Sequence, residues 1–373
     1  MKFLFLSCST GEGHNHCAKA VMEAFARHGH DVQFLDLLHI FDSADNEPFS
    51  FDKILNHICT KQPELFGKMY RAGAMYSSTG VTSPIYLANI RHAKELSEFI
   101  DANGYDAVIC SHLFPMETLT YMKKHGQSRI KCYGVLTDYT CIPFLAETDL
   151  DGYFIPHEDV KAECVRAGIP AEKLIVSGMP VSPVFTEPMS KEDARAELGL
   201  PCGGNGENKL YLIMTGGIGC GDAAAMCKTL LRLPCETSTI CVLAGRNDEL
   251  REMIERDFAD DGVIAVPFTD KVHVYMHAAD VLISKAGGIS SSEAVVLGVP
   301  LVHTMCIPGV ETLNAEFFES HRYSLFARTN EEAARFADRV VYDKKLTERM
   351  LEAQGSVIKN GGDRITEYVL ADI

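Results

Sequence analysis

Three short stretches of this 373-residue sequence combine residue types at spacings that can do chemistry. The first is Gly11-Glu12-Gly13-His14, which follows the apolar run FLFLSC at 3–8 after Ser9 and Thr10. An imidazole there can take a proton from a substrate hydroxyl, and Gly13 lets that substrate approach the backbone closely. The same residues also read as a tight turn with a histidine at a helix start. A dinucleotide fingerprint would place a third glycine at position 16, where the chain carries His16. The second stretch, TGGIGCG at 215–221, holds Gly216, Gly217 and Gly219 before a helix, and amides in such a turn can cradle phosphate. No Gly-Lys-Ser/Thr follows, so it is not a Walker A loop. The third runs from ISKAGGISSSE at 283–293 to PGVETLN at 308–314. Lys285 offers a cation, while Gly288, Ser290 and Ser291 offer amides and hydroxyls to a diphosphate. Glu293 can accept two ribose hydroxyls, the match used in dinucleotide sites. Ser290-x-x-Glu293 equally has the spacing of a helix capping box. Glu311 and Asn314, three apart, share one helix face.

The elements that must position these residues alternate along the chain. An apolar strand, the first glycine turn, a helix with Ala18, Val21, Met22 and Phe25 on one face, and a strand at 32–37 open it. Residues 39–90 break the rhythm. It resumes with a helix near 91–103, a strand at 106–110, a helix after Pro115 and a strand at 131–136. A strand at 153–155, a helix at 159–167 and a strand at 173–177 complete this half. Prolines and glycines crowd 178–208 around one short helix at 191–198, marking a boundary. The second series has strands at 210–214, 239–243, 263–267, 280–284 and 300–305. Two such α/β halves predict two doubly wound, Rossmann-like domains facing a cleft. The expected limits are 1–187 with an insertion near 39–95, then 188–355. A helix in 356–373 is expected to pack back on the first domain.

Composition excludes several classes. A net charge of −16, with 51 acids against 35 bases, carries no global footprint for nucleic acid. The 13 cysteines include no C-x-x-C pair, which argues against zinc ribbons and for reduced thiols in a cytosolic protein. No run approaches the ~20 apolar residues of a membrane helix, and the start of the chain does not read as a signal peptide.

Taken together, the motifs resemble the nucleotide-sugar glycosyltransferases of family 28, above all the diacylglycerol glycosyltransferases. The matching pieces are the S-x-G-x-G-H-x-x-x-A stretch from Ser9, TDY at 137–139, YFIPHEDV at 153–160 and GIPAEKLIVSGMPVSPVF at 168–185. AGRNDEL at 244–250, SKAGGISSSE at 284–293 and PGVETLN at 308–314 continue them in order over nearly the whole chain. The resemblance implies a GT-B architecture, with the acceptor on the first domain and a UDP-sugar on the second. Carried over by position, His14 is the base, with Asp138 orienting it, acting near the acceptor, or serving as a cap. The glycine turn and Gly288–Ser291 hold the diphosphate, and Glu293 holds the ribose. Backbone near Phe268 and Thr269 meets uracil, Arg246 belongs to the donor side, and Glu311 with Asn314 contacts the sugar. The implied reaction is an inverting single displacement in which amides, a helix dipole and Lys285 stabilise UDP, so that neither cofactor nor metal need be invoked. Val310 stands where the family usually has Gln, and Ile142-Pro143 with Leu145 replace the usual His-Pro-aromatic after TDY. Sugar and acceptor preferences can therefore differ from those of the relatives.

Between 53 and 94 the sign of the charge reverses. Lys53, Lys61, Lys68, Arg71, Arg91 and Lys94 face one acid, Glu64, and apolar and aromatic residues are interleaved. This island suits peripheral contact with an anionic membrane at its cytoplasmic face; a locally packed lid is the alternative. The expectation is hexose transfer from a UDP-sugar to a lipid, diacylglycerol first. The rivals are UDP-GlcNAc transfer to a lipid-linked cell-wall precursor and a nucleotide-sugar-binding regulator without turnover.

Overall fold

The computed structural model describes residues 1–9, 12–37, 58, 62–202, 208–216, 222–233, 238–304 and 307–373. They divide into two compact units, Met1–Pro183 with Ile358–Ile373, and Val184–Val357.

In the first unit the N-terminal apolar run forms β1 (Lys2–Ser7), with Phe3 to Leu6 fully buried. A strand covered on both faces needs a continuous apolar run, because neither side meets water. Next come α1 (Glu12–Arg27), β2 (Asp31–Asp36), α2 (Pro63–Ser77), α3 (Pro84–Asn89), α4 (Ala93–Asn103) and β3 (Ala107–Cys110). Then follow α5 (Leu113–Lys124), β4 (Lys131–Val135), β5 (Gly152–Ile155), α6 (Glu158–Arg166) and β6 (Leu174–Val176). All six strands are parallel, in the order β2-β1-β3-β4-β5-β6. The order reverses between β1 and β3, and open α/β sheets bind ligands at the carboxyl ends of such a pair. Leu6 lies opposite Cys110, so the chain leaves both strands at one level. There Ser111 N donates to the Leu6 carbonyl at 3.1 Å, and the Ser111 and Ser7 hydroxyls meet at 3.2 Å.

The helix expected after Pro115 instead begins at Leu113, with Pro115 inside its first turn. The missing N–H costs nothing there, because first-turn amides have no acceptor within the helix. The His112 ring nitrogen Nδ1 caps the turn by accepting from Phe114 N at 3.2 Å.

The second unit contains α7 (Lys191–Leu198), β7 (Lys209–Met214), α8 (Ala223–Leu230), β8 (Ser238–Gly245), α9 (Asp248–Phe258) and β9 (Val263–Pro267). It continues with α10 (Val272–Ala278), β10 (Val281–Lys285), α11 (Gly288–Leu297), β11 (Leu301–Thr304) and α12 (Val310–Ser320). β12 (Leu325–Ala327), α13 (Asn330–Tyr342) and α14 (Lys344–Gln354) end it. Its parallel sheet runs β12-β11-β10-β7-β8-β9, so the reversal lies between β7 and β10. Tyr211, Ile213, Val242, Ile283 and Val302 of the sheet pack with Met226, Ile254 and Ala337 of the helices in one buried cluster.

The last helix, α15 (Gly361–Asp372), belongs to the first unit. A Cβ on Gly362 would stand 3.2 Å from Ala24 Cβ, so the missing side chain lets α15 lie close against α1. Tyr133 donates its hydroxyl to Asp372 Oδ2 at 2.6 Å, and Arg27 pairs with Asp363 at 3.0 Å.

Candidate active site

His14 is the third residue of α1, and Gly13 is the second, beside the β1–β3 reversal. Its Nδ1 lies 2.8 Å from the Ser111 carbonyl oxygen. A carbonyl only accepts, so Nδ1 carries the hydrogen and Nε2 keeps a bare lone pair. The Thr137 hydroxyl stands 3.1 Å from the same Nδ1 and 3.4 Å from Asp138 Oδ2. The orienting acceptor is therefore a backbone carbonyl, and the link to Asp138 passes through Thr137. Burial lowers the His14 pKa below the ordinary histidine value, although the Asp138 charge and the Ser111 carbonyl pull it back up. The result is a neutral imidazole at neutral pH, the state a general base requires.

Packed edge-on against His14 at 4.5 Å is His112, itself held neutral by burial and by His14. An acid limb of kcat/KM below pH 6.5 is expected from the direction of the His14 shift. Asp138→Asn removes the charge that raises this pKa, so the limb moves further to the acid side. A limb that stayed in place or rose would exclude Asp138 as an electrostatic partner of His14.

The loop after Thr137 is tied to the surrounding helices. Thr140 Oγ1 and Cys141 N both donate to Glu163 Oε2 at 2.9 Å, and Phe144 N donates to Ser77 Oγ at 2.8 Å. Phe144 has φ 69°, a left-handed conformation unusual for an aromatic residue, and its ring lies 3.4 Å from where a Cβ on Gly73 would be. Tyr70 of α2 enters the same region, where burial and the charge of Asp138 raise its phenol pKa. Sequence motifs mark Thr137, as the first residue of TDY, but not Ser111, His112 or Tyr70. The rule placing sites at carboxyl ends of switch-point strands points to Ser111 and His112 once the β1–β3 pairing is known.

In the second unit, the β7–β10 reversal gathers Gly216, Lys285 and Glu311. Gly216 has φ 74°, and a Cβ there would stand 2.6 Å from Lys285 Cε, so the lysine stem lies across its bare backbone. The Lys285 ammonium pairs with Glu311 Oε1, while Glu311 Oε2 accepts from Ile307 N at 3.3 Å. Asn314 is fully buried and its Nδ2 donates to the Ala286 carbonyl at 3.1 Å, bracing the corner that carries Lys285. Gly217 and Gly219 lie outside the described residues.

The capping-box alternative for Glu293 fails on register. α11 starts at Gly288 with Gly287 as N-cap, so Ser290 is already the third helical residue and Glu293 the sixth. Gly288 opens a first turn whose amides have no acceptor within the helix, the arrangement that attracts anions. Ser290 is half-buried beside them, whereas the Ser291 hydroxyl is turned into the core on His303 Nε2 at 2.9 Å. Glu293 is 8% exposed, and no hydrogen bond or ion pair engages its carboxyl among the described residues. Burial alone raises its pKa to about 8. Such a group is poised to take hydroxyl donors. Arg246 lies over the Phe268 ring at 4.8 Å; this ring is 59% exposed at the carboxyl end of β9. The Thr269 hydroxyl accepts from Lys271 N at 3.1 Å.

Of the basic island, Lys53 and Lys61 lie outside the described residues. The rest includes α2 and α3, on or between which Leu65, Met69, Met75, Tyr76, Val81 and Leu87 are exposed, Met75 by 74%. No described helix is long and apolar enough to cross a membrane.

Residues 14–181 match the family model of monogalactosyldiacylglycerol synthases, and residues 221–358 match that of the glycosyltransferase family 28 C-terminal domain. A processive diacylglycerol β-glucosyltransferase of Bacillus cytotoxicus is 27% identical over 366 residues, covering 96% of this chain and 90% of its own. That of Bacillus cereus is 26% identical over 380 residues, covering 100% and 94%. Among solved structures, MurG of Acinetobacter baumannii aligns with TM-score 0.62 at 14% identity over 99% of each chain. HepE of Anabaena in complex with UDP aligns with TM-score 0.59 at 15% identity over 100% of each. These likenesses place the two parallel sheets in the GT-B fold class.

Proposed function

The chain belongs to glycosyltransferase family 28, and from that premise we propose that it transfers a hexose from a UDP-sugar to diacylglycerol, inverting the anomeric carbon. The observation that carries the catalytic part is the His14 tautomer. With Nδ1–H bound to the Ser111 carbonyl, Nε2 is the basic atom. It takes the proton of the acceptor hydroxyl as that oxygen bonds to the anomeric carbon and the bond from that carbon to the UDP oxygen breaks. The departing diphosphate gathers negative charge, which Lys285 and the first-turn amides of α11 are placed to offset. Glu293 takes the ribose diol, and Phe268 with Thr269 meets the base.

The acceptor is a lipid, and the first unit is suited to meet it at a membrane surface. Exposed Met75 and Leu87, on α2 and α3, lie among Lys68, Arg71, Arg91 and Lys94, a mixture that binds anionic lipid interfaces. Met75→Ser together with Leu87→Ser lowers binding to anionic vesicles by about 10²-fold, the cost of withdrawing two side chains from an apolar interface at about 1.5 kcal/mol each. Their UDP affinity stays at the wild-type value. Unchanged vesicle binding would remove these helices from the contact.

Purified protein with phosphatidylglycerol vesicles, with and without diacylglycerol, and with UDP-glucose, UDP-galactose or UDP-N-acetylglucosamine tests the whole reading. UDP release and a hexosyl-diacylglycerol product are expected only when diacylglycerol is present. Transfer solely to a lipid-linked cell-wall precursor would replace the acceptor assignment. Donor binding without release on any acceptor would identify a sensor rather than an enzyme.

A further inference from the structure

Lys285 and Glu311 stand 26 positions apart in sequence and are bound to each other at the β7–β10 reversal. The proposed donor site gives them different parts of one molecule, the diphosphate to Lys285 and the sugar to Glu311. Each group is therefore occupied by the other before a donor arrives. Lys285 has little freedom to serve both partners at once. Its stem is laid across Gly216, its ammonium lies 3.7 Å from where a Cβ on Gly287 would be, and its side chain is 19% exposed. Glu311 is similarly placed, 8% exposed, with Oε2 on Ile307 N. A buried carboxylate that loses its only cation is left with an uncompensated charge, so it competes for that cation.

We propose that Glu311 competes with the donor diphosphate for Lys285, and that this competition drives UDP off the enzyme after transfer. While the intact donor is bound, sugar hydroxyls donate to the Glu311 carboxylate and offset its loss of Lys285. Transfer removes the sugar. Among the described residues the carboxylate then keeps only the Ile307 amide as a donor, and it recaptures the ammonium from the diphosphate of UDP. No bond forms or breaks in this step; one ion pair replaces another.

This inference rests on the donor-site reading, and a double-variant cycle on UDP binding separates the two. Titration calorimetry and stopped-flow displacement of UDP are applied to wild type, Glu311→Gln, Lys285→Met and the double variant. Glu311→Gln keeps an oxygen for the Ile307 amide and removes the competing charge. It is expected to bind UDP about tenfold more tightly, through a slower off-rate, with turnover limited by product. Lys285→Met weakens UDP binding by about tenfold, and adding Glu311→Gln to it brings no tightening, because the contested cation is gone. If Glu311→Gln binds UDP no more tightly than wild type while Lys285→Met still weakens it, the competition is refuted and the donor site stands. If Lys285→Met binds UDP like wild type, Lys285 is not in the donor site and both readings fall. Thermal melting checks each variant, and Glu311→Ala, which removes the same charge, is expected to tighten UDP binding too should the Gln variant not fold.

Discussion

His14→Ala lowers kcat by about 10³-fold or more, while the affinity for UDP changes by less than about twofold. The two halves of this result follow from separate units. His14 lies in the first, at the reversal between β1 and β3, and Lys285, Glu293 and Glu311 lie in the second. Removing the imidazole also leaves the Ser111 carbonyl without its donor, a loss of about 1–3 kcal/mol if no water replaces it. His14→Gln controls for this, because its amide can still donate to that carbonyl but cannot act as a base. Both variants are expected to be inactive, with Gln the more stable in thermal melting. Single-turnover transfer with UDP-glucose and diacylglycerol vesicles is the measurement. A His14→Gln protein with more than a tenth of wild-type turnover would refute the base assignment.

Glu293→Ala weakens UDP binding by about 10²-fold, the worth of two hydroxyl hydrogen bonds to one buried carboxylate. The pH dependence sharpens this. Burial raises the Glu293 pKa to about 8, so at neutral pH most of the carboxyl is protonated in the free protein. Two hydroxyl donors favour the ionised form and pull the pKa down on binding. Affinity therefore climbs as pH rises toward about 8 and levels off above it. Uridine, which has no phosphate to titrate, is the ligand to use. Its affinity for Glu293→Gln should be flat over the same range, and a parallel slope in both proteins would show that Glu293 does not hold the ribose. Stability moves the opposite way. A carboxyl whose folded pKa lies above its unfolded value costs stability as pH rises between the two. Wild type therefore falls progressively behind Glu293→Gln in melting temperature up to about pH 8.

The legible parts of the fold share one property. β1 and β7 are covered on both sides, so their residues form apolar runs that stand out without any partner in view. The helix over Lys191–Leu198 announces itself by the Ser190 cap and Gly199 at its end, which takes a left-handed conformation. The start of α11 misleads because Ser-x-x-Glu is a generic pattern. β10 runs to Lys285, the chain turns within two residues, and Gly287 takes the cap before either serine can. α5 misleads similarly, since a proline can sit inside a first turn as well as before it.

By itself the sequence determined two α/β halves, each opening on an apolar strand and a glycine turn, and it singled out His14, Lys285, Glu293 and Glu311 by type and motif. Those are local properties, written in periodicity and in residue chemistry over fewer than about 15 positions. Tertiary structure alone decided which nitrogen of His14 is basic, because the Ser111 carbonyl arrives from 97 residues away through the pairing of β1 with β3. It alone joined Lys285 to Glu311, and it alone buried Glu293 in mid-helix, away from the cap and without a partner for its carboxyl among the described residues. Strand order in a parallel sheet depends on pairings between distant segments, and no short window of residues encodes them.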